Sequence, residues 1–292
     1  MSVITAEAPL NPAKPRGAQL RRFARRNPTI VVGGAILSVI AALAVAAPLF
    51  AGDAITMQPA QRLRPPSEAN WFGTDHLGRD VFARTIYGAQ VSLFVGIAVA
   101  AVSITGGLFI GLMSGYFRKV DAVVMRLMDG LMAIPAILLA IALVALTRAS
   151  VTAVIVAITI PEVPRVVRLV RAVVLSVREA PYVEAAIAGG TPTWKILLRH
   201  ILPNTIAPLI VQATYICASA ILIEAALSFL GAGTPPEIPT WGNMIAQSRL
   251  FLSRAPWTIF CPGIALALVV LAVNLLGDGL RDRLDPRLAR RM

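Results

Sequence analysis

The sequence is poor in charge for its length. Of its 292 residues only 14% are charged, while 57% are hydrophobic, and a soluble domain usually carries about a quarter charged residues. Long runs almost free of charge therefore indicate a membrane protein. The formal net charge of +12 does not indicate nucleic-acid binding, since that function needs basic residues gathered on a soluble surface. Here the basic residues lie between the apolar runs.

Cysteine and lysine are also scarce. Cys217 and Cys261 each lie inside an apolar run, which excludes a disulfide framework or a cysteine metal site and favours simple packing roles. None of the three lysines follows a glycine, so the chain lacks the G-x-x-x-x-G-K-S/T loop that cradles nucleotide phosphates. If ATP drives its activity, another chain must bind the nucleotide.

Histidine is equally rare. His76 and His200 fall on predicted opposite sides of the membrane, and neither lies in an H-E-x-x-H sequence. The two side chains cannot share a metal or catalytic centre. We therefore predict no catalytic residue, no metal site and no enzymatic activity for this chain.

Apolar runs long enough to cross a bilayer, which takes about 20 residues, recur along the chain. Five are clear, and a sixth is interrupted by Pro161, Glu162, Pro164 and Arg165. The clear runs are 29–50, 91–113, 122–146, 206–230 and 257–276, and the interrupted run is 151–174. We count the sixth because the basic segment after it would otherwise face outside. The sequence thus predicts an all-α integral membrane protein with six transmembrane helices.

Six spans place both termini on one side of the membrane. Most of the 27 basic residues fall in segments that are cytoplasmic if the N-terminus is inside, so the positive-inside rule predicts N-in/C-in. The predicted parts are a cytoplasmic segment at 1–28, a first span at 29–50, an external loop at 51–90, a five-span core at 91–276 and a cytoplasmic tail at 277–292.

The N-terminal segment allows two interpretations. Residues 19–27 place apolar side chains on one helical face and arginines on the other, which is typical of an interfacial helix. A disordered basic tail fits them nearly as well. The run at 29–50 is longer than the apolar core of a typical secretory signal, so we expect an uncleaved first span.

Small residues at intervals of four mark one face of the second span. They are Ser103, Gly107, Gly111 and Gly115. Such a face lets a neighbouring backbone approach closely. We expect the neighbour to be another helix of this chain, and a second subunit is the alternative.

Three charged residues lie within the five clear spans. Arg126 and Asp129 are three positions apart on one helix, which predicts a structural ion pair near the cytoplasmic end. Glu224 has no predicted partner in its own helix turn, so we expect it to face the bundle interior. Whether Glu224 or Asp129 lines a transport pathway stays open.

The cytoplasmic segment 182–204 is the most informative part of the chain. Gly189 and Gly190 can end one short helix in a left-handed cap. Thr191 can cap a second short helix, with Pro192 in its first turn. The apolar stripe of that second helix consists of Trp194, Leu197, Leu198 and Ile201. The segment is either a helix resting on the lipid interface or a docking element for a partner protein.

At this segment the chain resembles the permeases of binding-protein-dependent ABC importers. Their hallmark is E-A-A-x-x-x-G, nine residues, and then I-x-L-P. The matching residues here are Glu184, Ala185, Ala186, Gly190, Leu202 and Pro203, with His200 at the usual isoleucine position. In that family the segment fits a cleft of the cytoplasmic ATPase. The resemblance implies the type I importer permease fold and an ATPase-coupling role for these residues, together with Thr191 and Trp194.

Three further regions resemble the C-type permease of dipeptide, oligopeptide and nickel importers. They are 72–80, 227–231 with 241–243, and 274–282 with 285–287. The external positions imply contact with a substrate-binding protein. The candidate contacts are Asp75, His76, Arg79, Asp80, Trp241 and Asn243.

The resemblance implies a set of partners in a bacterial inner membrane. A homologous second permease would form the other half of the path, and two ATPase subunits would bind ATP and Mg. An external substrate-binding protein would deliver peptides, and the chain itself would need no cofactor. Nickel or another small solute is the alternative cargo. An ion-coupled carrier is the main competing class, followed by a structural subunit of an energy-converting complex.

Overall fold

The computed structural model describes residues 24–284, and this part of the chain contains helices and no β-strand. The predicted interfacial helix at 19–27 falls mostly outside the described residues, as does the motif at 285–287. The helices are α1 (Pro28–Phe50), α2 (Val81–Tyr116), α3 (Arg118–Met132), α4 (Ala136–Ala145), α5 (Val151–Arg178), α6 (Pro181–Ala188), α7 (Thr193–Ile196), α8 (Leu202–Phe229), α9 (Trp241–Ser248) and α10 (Trp257–Leu284). A π-helical segment, Leu197–Ile201, joins α7 to α8.

Four helical units of the described chain are long and apolar enough to cross a membrane. They are α1, α2, the continuous unit Thr193–Phe229 and α10. Helices α3 and α4 meet this criterion only as a pair, and they enclose an angle of 87°. The predicted third span is therefore not one straight helix. Pro135 explains the break, because a proline disfavours the α conformation of the residue before it and cannot donate a backbone hydrogen bond.

Helix α5 contains the interrupted sixth run. It continues through Pro161 and Pro164 as one helix, so the prolines do not end it. It contains too many charged residues, from Glu162 onward, to count among the helices that are apolar enough to cross a membrane. The Glu162 carboxylate is fully buried and accepts a hydrogen bond from Arg165 at 2.8 Å, which supplies the opposite charge that a buried acid needs.

Helices α2 and α5 pack closely along the small-residue face of α2. A Cβ atom added to Gly107, Gly111 or Gly115 would lie 2.5–2.6 Å from the Cβ of Val166, Val170 or Val174, respectively. Each step of four residues on α2 thus matches a step of four on α5, so the two helices run parallel. Ser103 is fully buried at the start of the same face. The structure places this stripe against the chain's own helix.

Helices α1 and α10 bring the two ends of the described chain together. A Cβ atom on Gly33 would lie 2.6 Å from the Ala272 carbonyl oxygen, and one on Gly279 would lie 2.4 Å from Ile30. The start of α1 therefore packs against the end of α10, and the helices are antiparallel. Both ends of the described chain consequently lie on the same side of the bundle.

Candidate ATPase-coupling site and external loops

Helix α6 ends in a left-handed cap, as the sequence predicts. Gly190 has a φ of +74°, its N–H donates to the Ile187 carbonyl at 3.0 Å, and the Thr191 N–H donates to the Ala186 carbonyl at 3.0 Å. This pair of bonds is a Schellman motif. A Cβ atom on Gly190 would meet nothing within 4 Å, so the position requires glycine for its backbone conformation.

The prediction that Thr191 caps the second helix is wrong. Pro192 occupies the N-cap position of α7, and no side chain caps this helix. Helix α7 is also not separate from the next span. It passes through the π-helical segment directly into α8, with no intervening loop.

The predicted apolar stripe of the segment is divided between two environments. Leu197 and Ile201 are buried in the bundle core, whereas Trp194 and Leu198 are 59% and 55% exposed. The motif residues Glu184, Ala185, Gly190 and Pro203 are exposed, while Ala186, Thr191, His200 and Leu202 are partly buried. Buried residues thus anchor the segment and leave most of its motif accessible to a partner.

The external candidates around Asp75 form an internal network. The Asp75 carboxylate accepts from the Arg79 side chain at 2.7 Å and from the Arg79 backbone N–H at 2.9 Å. Arg79 also donates to the Gln247 side chain at 2.8 Å. Asp75 and Arg79 are 5% and 3% exposed. These two side chains hold the loop together and leave almost no surface exposed, and their contact with a binding protein stays a prediction.

Trp241 and Asn243 are likewise buried. The Trp241 indole N–H donates to the Thr85 carbonyl at 3.0 Å, which ties α9 to the second turn of α2. The Asn243 amide donates to the Pro235 carbonyl at 2.9 Å and to Thr234, which closes the loop before α9. Both side chains thus stabilise the loops, and their contact with a binding protein also stays a prediction.

His76 and Asp80 are only partly buried. Asp80 is the N-cap of α2, and its carboxylate accepts from the Phe82 N–H at 2.9 Å. The His76 ring stacks on Phe251, with ring centroids 5.5 Å apart and planes inclined by 9°. Burial lowers the pKa of His76 below its usual range. The nearby positive charges of Arg79 and Arg84 also lower this pKa, while the negative charge of Asp75 raises it by less than burial lowers it.

The predicted pair of Arg126 with Asp129 does not form. The Asp129 carboxylate instead accepts from Arg168 of α5 at 2.5 Å, and Asp121 forms a second pair with Arg171 at 2.5 Å. Both pairs join α3 to α5. The chain bends after Met132, and α3 lies against α5. Arg168 of α5 is therefore closer to Asp129 than Arg126 is, although Arg126 belongs to the same helix as Asp129.

Glu224 faces the bundle interior, as the sequence predicts. Its side chain is fully buried and accepts from the Ser228 hydroxyl at 2.9 Å. Ser228 is four residues further along the same helix, so the expectation that Glu224 lacks a partner in its own turn is wrong. A serine four residues after the glutamate is the sequence signal that could have indicated this hydrogen bond.

The site also contains polar residues that the sequence did not single out in these roles. Asn204 links α8 to α6, Gln90 links α2 to α1, and Arg168 and Arg171 link α5 to α3. Asn204 directly follows the L-P motif, which was a local signal. The other links join helices distant in sequence, and no local pattern indicates them.

Comparisons with known proteins identify the family of this chain. Residues 103–290 match the family described as "Binding-protein-dependent transport system inner membrane component". The chain belongs to this family. The permease is accordingly a multi-pass protein of the bacterial inner membrane, and membership implies ATPase and substrate-binding-protein partners.

Relatives cover nearly the whole permease. It is 60% identical over 270 residues, 92% of this chain and 93% of the relative, to the "Probable peptide ABC transporter permease protein y4tQ" of Sinorhizobium fredii. It is 44% identical over 266 residues, 90% of this chain and 88% of the relative, to the "Dipeptide transport system permease protein DppC" of Alkalihalophilus pseudofirmus.

A solved structure supports the fold. The permease is similar to a chain of the inward-facing MetNI methionine ABC transporter, with a TM-score of 0.55 and 20% identity, over 69% of this chain and 96% of that one. The likeness shows that the helices are arranged in the same permease fold.

Proposed function

We propose that this chain is the C-type permease subunit of an ATP-driven peptide importer and forms half of its translocation path. The exposed coupling segment, with its Schellman cap and its direct continuation into α8, carries the proposal. The peptide-transport names of relatives that cover about nine-tenths of the chain support the cargo. A homologous second permease forms the other half of the path.

The energy source in this proposal lies outside the chain. Two ATPase subunits bind ATP and Mg beneath the membrane, and the chain itself holds no cofactor and catalyses no reaction. An external binding protein delivers the peptide. Coupling then requires contacts that differ between two states of the complex, and the exposed motif residues of 182–204 provide a surface for such contacts.

The proposed topology has six spans with both termini in the cytoplasm. It counts α5 and the bent α3–α4 pair as spans, and the antiparallel packing of α1 on α10 supports termini on one side. Single cysteines at Glu237 and Lys195, in a variant without Cys217 and Cys261, test it. A membrane-impermeant thiol reagent should label position 237 in intact cells and position 195 only after lysis. The reverse pattern would contradict the orientation.

Cargo and energy source can be tested together. A strain without the gene should lose uptake of a radiolabelled pool of dipeptides and tripeptides, and the cloned gene should restore it. Proteoliposomes with the complete importer should then require internal ATP and the binding protein. Uptake of nickel but not peptides would overturn the cargo, and uptake driven by an ion gradient without ATP would overturn the importer.

The coupling role has a sharper test at two adjacent glycines. Gly190→Ala forces a Cβ into the left-handed region, at a cost of about 1 kcal/mol or more, although it meets no neighbouring atom. Gly189→Ala is the matched control, because the Gly189 φ of −76° suits any residue. Gly190→Ala and Glu184→Lys should lower ATP-driven uptake and Gly189→Ala should not. Normal uptake in both test variants would remove the coupling assignment.

A further inference from the structure

A small polar bridge holds the coupling segment together at the start of α8. The Asn204 side-chain amide donates to the His200 carbonyl at 2.6 Å and to the Tyr182 hydroxyl at 3.3 Å. The rings of Tyr182 and His200 lie close, with centroids 6.1 Å apart. One side chain therefore contacts the first turn of α6, the π-helical segment and its own helix.

The bridge lies where the helix is least regular. The π-helical segment ends with the Leu202 N–H donating five residues back, to the Leu197 carbonyl. Pro203 has no N–H to give to the Arg199 carbonyl. A π-turn next to a proline is a point at which a helix bends. Asn204 supplies a side-chain hydrogen bond within this weakened stretch.

Helix α6 has few other attachments to the bundle. Val183 is its one buried residue, in the core cluster that also contains Ile196, Leu197 and Ile201. Among the side-chain hydrogen bonds of the described residues, the bond between Tyr182 and Asn204 is the one that joins α6 to α8. An apolar anchor resists separation but allows rotation, whereas a directional hydrogen bond also fixes orientation.

We propose that Asn204 and Tyr182 are positioning residues that make α6 and α8 move as one body when the ATPase displaces the coupling segment. This inference rests on the proposed importer function. Without the bridge, α6 can turn about its Val183 anchor while α8 stays in place. ATP is then hydrolysed with less movement of the span, so fewer peptides cross for each ATP.

The test compares Tyr182→Phe, Asn204→Leu and the double variant in the complete importer. Tyr182→Phe removes one hydroxyl, and Asn204→Leu removes both hydrogen bonds at similar volume. Tyr215→Phe is the matched control, because this tyrosine is exposed on α8 and its hydroxyl has no hydrogen-bond partner in the described part of the chain. The measurement is the number of labelled dipeptides imported per ATP hydrolysed in proteoliposomes, with the amount of ATPase retained on the purified permease.

We expect Tyr182→Phe and Asn204→Leu to lower the ratio of peptide to ATP by about fivefold, the factor that one ordinary hydrogen bond is worth. The ATPase subunits should stay bound, and Tyr215→Phe should leave the ratio unchanged. The double variant should be no worse than Asn204→Leu alone, because both changes remove one shared bridge.

Three results would overturn the positioning role. An unchanged ratio in the two single variants shows that the bridge transmits nothing. Losses that multiply in the double variant show that the residues act separately, and loss of the ATPase subunits from either single variant shows a structural role. Failure of the wild-type complex to import peptides with ATP would instead overturn the proposed function, so the two failures are distinguishable.

Discussion

The Gln90 side chain donates a hydrogen bond to the Ala44 carbonyl at 2.6 Å, across the contact between α2 and α1. Ala44 is four residues before Pro48, which lies inside α1. A proline has no N–H to donate to the carbonyl four residues earlier. Gln90 therefore supplies the bond that the sequence of α1 removes, and the Ala44 residue that accepts it is buried.

This relationship predicts a rescue. Gln90→Leu should leave the Ala44 carbonyl without a partner and destabilise the permease by about 1–3 kcal/mol. Pro48→Ala restores an N–H at the right place, so the double variant should recover most of the loss. The readout is the thermal unfolding midpoint of the purified importer in detergent. Gln212→Leu on α8 is the control, and an equal loss there would show that Gln90 has no specific role.

The packing of α2 on α5 predicts a position-dependent effect of one methyl group. Gly111→Ala places a Cβ 2.6 Å from the Cβ of Val170, and such overpacking costs about 1–3 kcal/mol. Gly106→Ala adds the same group to the same helix where nothing lies within 4 Å. Gly111→Ala should lower the thermal unfolding midpoint of the permease, and Gly106→Ala should not lower it. Equal midpoints would contradict the close approach of the helices.

The ion pair between Asp129 and Arg168 predicts which substitutions are coupled. Their side chains are 58% and 44% exposed, so solvent screening limits the pair to about 1 kcal/mol or less. In a double-mutant cycle on thermal stability, Asp129→Asn and Arg168→Gln should be non-additive. Asp129→Asn and Arg126→Gln should be additive. Non-additive effects of Asp129→Asn and Arg126→Gln would contradict the pair with Arg168 and support the pair within one helix.

The stacked His76 predicts a pH dependence of the external loops. Its pKa is lowered in the folded state, so the unfolded loop binds a proton more readily than the folded one. Stability from this contact is therefore present above the ordinary pKa of about 6.5 and is lost as the pH falls below it. Limited proteolysis of the loops should speed up between pH 7 and pH 5 in the wild type. His76→Phe keeps the stack and should remove the change, and an unaltered pH profile would contradict the role of His76.

Much of the helical architecture could be predicted from local pattern. Apolar runs indicate helices because a segment in lipid must satisfy its own backbone hydrogen bonds. The spacing of Gly107, Gly111 and Gly115 indicates a close helix contact, and the glycine pair at 189–190 indicates the end of α6. These features depend on residues within one or two helix turns of each other, so the sequence contains the information directly.

Other features depend on how the helices are set against each other. Asp129 pairs with Arg168 because the bend at 133–135 brings α5 to α3, and neither residue's sequence neighbourhood encodes that angle. Asp75 and Trp241 carry the polar and aromatic character of an external contact surface, yet the folded loops bury both. Helix periodicity assigns a residue to a face, but the partner of that face is set by the crossing angles and depths of distant helices, which become defined when the whole bundle packs.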